Sequence, residues 1–216
     1  MRNLLTGLAT LLTLFFAGHQ AEAEEHQEDV WAECRADNSC TIAYDYLSDQ
    51  ENYPFLFLGL EVNSSHPRWR DYKNTLPLYP HVKDCLIESE QSVSEPNLLR
   101  IDWPRTGTGP AAEICVFRIA RSLGSVERIL QWLEFHGFEH RGQNRIISEE
   151  RAANSSLRVV AQITARWSIE QYRQLNPSFL ARLTGYDLLQ EYNLVLGFDK
   201  DGFLAEVRAG TPTNLN

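Results

Sequence analysis

Residues 114–138 constrain the fold of this chain more than any other stretch. They read Ile114-Cys115-Val116-Phe117-Arg118-Ile119-Ala120, then a break at Ser122-Leu123-Gly124-Ser125, then residues 126–136 and Gly137-Phe138. A continuous apolar run, a serine able to cap, a helix with one apolar face and a glycine stop describe a strand, a helix and a returning strand. Val126, Ile129, Leu130 and Leu133 stand at the i, i+3, i+4, i+7 spacing of one buried helical face. Ser125 is placed to satisfy the first free amides of that helix.

The segments that follow extend this pattern. Residues 143–149 and 157–164 have the character of an antiparallel strand pair joined by the polar turn 151–156. Ser168 and Gln171 have capping-box spacing before a second helical region. Residues 192–198 and 203–208 form a hairpin across Asp199-Lys200-Asp201-Gly202, where the Asp-Gly pair suits a tight turn. The order from residue 114 is then strand, helix, strand, strand, helix, strand, with one extra hairpin strand. That is a ferredoxin-like βαββαβ order, an antiparallel sheet carrying two helices.

Before this lies a half rich in strand signals: Ile42, Tyr44 and Tyr46 alternating, then residues 55–62, 85–89 and 98–103. Thr106-Gly107-Thr108-Gly109-Pro110 marks the boundary. The expected organisation is α+β. A leader over 1–23 precedes a β-rich, acidic, aromatic, disulfide-containing half over 24–110 and an α+β half over 111–216, the two packed as one unit.

The leader expectation rests on a basic start at Arg2, an apolar run over 4–18 and small residues at Ala21 and Ala23. Export follows, to the periplasm or the exterior, with no stable membrane anchor once the leader is cleaved. All four cysteines, Cys34, Cys40, Cys85 and Cys115, lie beyond that point, and an even count in an oxidising compartment indicates two disulfides. The pairing favoured is Cys34 with Cys40, closing a small loop, and Cys85 with Cys115, tying the two halves together. No Cys-x-x-Cys occurs and the spacings match no zinc pattern.

The net charge of -9 is unevenly spread: 7 basic and 17 acidic residues over 24–113, against 12 and 11 over 114–216. Such a chain is a poor partner for nucleic acid, whose phosphates it would repel.

The most suggestive motif is His136-Gly137-Phe138-Glu139-His140, which matches a His-x-x-Glu-His metallopeptidase pattern. That chemistry needs both histidines on one face of a continuous helix, and Gly137 sits where the helix should stop. His136, Glu139 and His140 are therefore only the alternative catalytic set. No cofactor or metal is expected. Asp199-Lys200-Asp201-Gly202 lacks the later ligands of a calcium loop, and no Gly-x-Ser-x-Gly elbow is present. Arg68, Trp69, Arg70 and Tyr72 combine aromatic and basic groups in a polar segment and are the best candidates for a binding surface. The functional expectation is an exported, non-enzymatic protein acting by recognition of a protein partner: an inhibitor, an immunity-type protein or an envelope accessory factor. The alternatives are a secreted or periplasmic hydrolase, metal-dependent or not, and a small-ligand carrier.

Overall fold

The computed structural model describes residues 31–145, 158–175 and 191–210. The leader over 1–23 and the turn over 151–156 lie outside them. In chain order the helices are α1 (Ala32–Asp37), α2 (Trp69–Tyr72), α3 (Glu88–Gln91), α4 (Trp103–Thr106), α5 (Pro110–Leu123), α6 (Val126–Phe135) and α7 (Ile169–Leu175). The strands are β1 (Leu56–Phe57), β2 (Leu60–Glu61), β3 (Glu139–Arg145), β4 (Ala161–Ser168), β5 (Glu191–Phe198) and β6 (Leu204–Gly210).

The apolar run over 114–120 is helical, not extended, and it is the centre of the molecule. Pro110 occupies the first turn of α5 and Gly124, at φ 72°, ends it in the left-handed conformation. Every residue from Ala112 to Ala120 is buried. A helix enclosed all round loses the 3.6-residue polar stripe, so its local pattern is the same as that of a fully buried strand. Burying Ile114, Phe117 and Ile119 stabilises the fold by about 1.5–3 kcal/mol each.

The large sheet is an antiparallel meander in the order β3-β4-β5-β6. With residues 114–120 in a helix, no described strand takes the place that opens a βαββαβ unit. Among the described residues the order from Pro110 is helix, helix, strand, strand, helix, strand, strand. The class remains α+β with antiparallel sheets. The local punctuation expected around the helices is present: Ser125 Oγ accepts from the Arg128 amide at 3.3 Å. Ser168 and Gln171 bond reciprocally at 2.9 and 3.3 Å across the start of α7.

The N-terminal half differs from its β-rich expectation. Among the described residues its regular strands are the two-residue β1 and β2, with isolated bridges at Asp49–His81 and Leu86–Ile101. Residues 55–62 fold back on themselves around Leu58-Gly59 instead of forming one strand. Most of the half is short helical turns and irregular chain whose side chains fill space around α5. Alternation therefore reports burial here, not pairing. Buried residues from both halves, including Phe55, Tyr72, Leu98, Ile114, Trp132 and Leu194, form one continuous apolar cluster.

Arg118, fully buried on α5, ties the irregular half to that helix. Its guanidinium donates to the carbonyls of Asp49, Tyr53 and Tyr79 and to the Gln50 side chain. Desolvation lowers its pKa to about 10, and the acceptors compensate a charge that burial alone would disfavour. The disulfides pair Cys34 with Cys40, Cα atoms 4.8 Å apart, and Cys85 with Cys115, 5.3 Å apart. The second joins the turn at Val82–Cys85 to α5.

Candidate functional site

The residues of the His-x-x-Glu-His motif are held by three different environments. α6 ends at Phe135, His136 caps it, and Gly137 at φ 73° turns the chain into β3. The His136 ring is enclosed by Trp132, Phe135 and Trp103, with ring centroids 4.4, 5.0 and 5.5 Å away. Nδ1 accepts from the Trp103 indole N–H at 3.2 Å, and the His136 carbonyl accepts from the Trp167 indole at 2.7 Å. That bond to Nδ1 places the proton of the neutral ring on Nε2, which is buried with no hydrogen-bond partner among the described residues. Burial first, and the Arg35 charge second, bring the His136 pKa down to about 3.

His140 turns instead to Glu134 on α6, at 3.3 Å, and Glu139 pairs with Arg166 on β4 at 2.8–2.9 Å. The three side chains therefore do not converge on one point. No group of three or more His, Cys, Asp or Glu among the described residues could hold a metal ion. The physical reason is the one glycine: it changes the backbone from helix to strand inside the motif, so the residues after it no longer follow the helical face.

The expected surface cluster is also divided. Tyr72 is fully buried and donates its hydroxyl to the Glu113 carboxylate, whose other oxygen accepts from the Ala209 amide at 3.2 Å. Burial and that carboxylate raise the phenol pKa. Tyr72 thus belongs to the core and offers no contact surface, a correction to the sequence reading. Arg68 lies over the Phe57 and Tyr72 rings at 4.3 and 5.0 Å and is paired with Asp71 at 2.8 Å. Trp69 is partly buried against the core and Arg70 is exposed. An aromatic in a polar segment is not a surface aromatic when its hydroxyl has a buried carboxylate to meet.

The structure brings together a different set on the outer face of the sheet. Along β4, Ala161, Ile163, Ala165 and Trp167 face the core, leaving Thr164, Arg166 and Ser168 exposed and Gln162 partly so. On β5, Tyr192, Leu194 and Leu196 are buried, and Glu191, Asn193 and Val195 are their partly exposed alternates. Register places Glu139, Arg166 and Asn193 opposite one another across three strands, with Asn144 opposite Gln162 and Thr164 opposite Val195. Together with His140 and Glu191 they line an open groove of about 610 Å³. Sequence reasoning passes over this row. The signal is present as the period-2 series Gln162, Thr164, Arg166, Ser168, but a strand taken to end at residue 164 cuts the series in half.

A second feature missed from sequence is the pair of buried carboxylates, Glu113 on α5 and Glu206 on β6, only 5% and 2% exposed. Glu113 is satisfied on both oxygens. Glu206 has Arg208 Nη2 at 3.4 Å from Oε1, while Oε2 has no hydrogen-bond partner among the described residues. Burial raises its pKa; the Arg208 charge and the Leu58 amide act in the opposite direction.

No family model, curated protein or solved structure matches the chain. Among the described residues no helix is long and apolar enough to cross a membrane.

Proposed function

We propose that this is an exported recognition protein that binds a protein partner through the outer face of its sheet. It would act as an inhibitor, an immunity-type protein or an envelope accessory factor. The observation that carries the reading is the cross-strand row Glu139–Arg166–Asn193 at the base of the open groove. Small-molecule sites are mostly apolar and enclose the ligand. This groove is open and offers both signs of charge with amides and a hydroxyl, on side chains presented by regular strands. Such a surface suits polar complementarity to another protein, where opposed charges set register and exclude wrong partners. Two disulfides support action in an oxidising compartment and hold the scaffold that presents the face.

The test is capture from envelope extracts at moderate salt, comparing the wild-type protein with Thr164→Arg and Arg166→Glu. Both positions are exposed, and melting temperatures of the three proteins separate lost binding from the like-charge opposition that Arg166→Glu sets against Glu139. A partner retained by wild type and lost with both variants is the expected result. Equal retention by all three proteins, or no specific retention by any, overturns the reading.

A further inference from the structure

The β1–β2 hairpin carries a residue that its fold alone does not explain. Register pairs Phe57 with Leu60, so Leu58 and Gly59 are the two central residues of the turn. Both have positive φ, 51° for Leu58 and 68° for Gly59. A two-residue turn with positive φ at both centres favours Asn-Gly or Asp-Gly, because a bulky side chain is strained in the left-handed region. Leucine there is unfavourable locally, and it gains little from burial: Leu58 is 50% exposed and Leu60 beside it 41% exposed.

The strained turn is nevertheless held from several sides. The Gly59 amide donates to the Ala205 carbonyl on β6 at 2.8 Å, and Arg158 Nη1 donates to the Gly59 carbonyl at 3.2 Å. The Leu58 amide faces the buried Glu206 carboxylate. An added Cβ at Gly59 would stand 2.8 Å from Arg158 Cβ, so the arginine packs directly on the turn. Arg158 therefore sits on the leucine turn, and the exposed Arg208 reaches it through Glu206, 3.4 Å away, in a chain of net charge -9 with Glu61 the acidic residue on the hairpin itself.

We infer that the Leu58 turn is a preorganised anchor that inserts into an apolar pocket with an acidic rim on a protein partner. Strain kept at an exposed apolar side chain is expected where that side chain has a task, and a fixed conformation reduces what binding must order. A bilayer is fluid and gains nothing from a leucine locked in one backbone conformation, whereas a protein pocket requires its shape. These arginines identify the rim as acidic. This surface is separate from the groove on the sheet and shares with it only the existence of a protein partner.

The experiment uses the full disulfide-bonded protein as bait against envelope extract, in three forms: wild type, Leu58→Asn and Thr164→Arg. Asparagine suits the turn, so Leu58→Asn should melt at the wild-type temperature or above it. A protein retained by wild type should be depleted at least tenfold by Leu58→Asn. Once purified, that protein should bind wild type and lose at least tenfold in affinity with the variant, by a similar factor at low and high salt, while its affinity for either form falls as salt rises. No protein depleted by Leu58→Asn overturns the inference, as does a lowered melting temperature, which would make Leu58 structural. Binding to phosphatidylglycerol vesicles that Leu58→Asn abolishes would reassign the turn to a membrane surface. A dimer in analytical ultracentrifugation that the variant dissociates would reassign it to a second copy. Loss with Thr164→Arg but retention with Leu58→Asn leaves the groove reading standing and removes this one.

Discussion

Replacing His136 with glutamine should remove a large part of the acid sensitivity of this protein. The imidazole is enclosed by Trp103, Trp132 and Phe135, and its folded pKa is about 3 against an ordinary 6.5. Between those values the unfolded chain binds a proton that the folded chain refuses, so stability falls as pH falls through that window. The contribution is fully present above pH 6.5 and lost progressively toward pH 3. Acidification from about pH 8 to about pH 4 should cost about 3 kcal/mol through this one side chain, roughly 6–12 °C of melting temperature for a domain of this size. His136→Gln keeps an acceptor for the Trp103 indole, and any packing loss it introduces is independent of pH. The assay is denaturant unfolding of both proteins, disulfides intact, across that range. The wild-type minus variant difference should shrink by about 3 kcal/mol on acidification. Glu206 titrates in the opposite sense, but it is common to both proteins and cancels. A difference that stays flat with pH would refute the enclosure of the ring as the cause.

Arg118→Met should destabilise the fold by about 3–5 kcal/mol, because three backbone carbonyls and Gln50 lose a buried charged donor together; a change under about 1 kcal/mol in denaturant midpoint analysis contradicts this. Glu206→Gln should be more stable than wild type at about pH 8. The raised folded pKa means that the wild-type carboxyl's contribution is full below its unfolded value and lost as pH rises through the folded one. The two proteins should therefore converge in acid, and parallel pH profiles would count against it. Removing the Cys85–Cys115 bridge by the paired alanine variant should cost about 3–4 kcal/mol, from a sequence separation of 30 residues, and thermal unfolding under non-reducing conditions measures it.

Much of the local structure was legible. Ser125 and Gly137 mark the ends of α6, Ser168 and Gln171 start α7, and Asp-Gly turns the last hairpin, because caps and turns act through hydrogen bonds within a few residues. The helical state of residues 114–120 was not legible from periodicity, since a segment buried on every side carries no polar stripe to reveal its period. Pro110 and Gly124 were the available sign, and both belong to helix ends. The candidate surface residues divided for a related reason: Tyr72 and Arg68 lie close in sequence, but only one of them meets a buried carboxylate.

Neighbours along the chain set the α6 cap and stop, the start of α7 and the β5–β6 turn, and the favoured pairing of Cys34 with Cys40 and of Cys85 with Cys115 is the one the structure has. The tertiary structure alone decided what depends on distant parts of the chain meeting. It enclosed His136 in tryptophan while sending Glu139 to Arg166, and set Leu58 in a strained turn against β6. Hydrogen-bonded caps are local interactions, whereas burial and register are properties of the assembled core, and the candidate sites of this protein are built from the second kind.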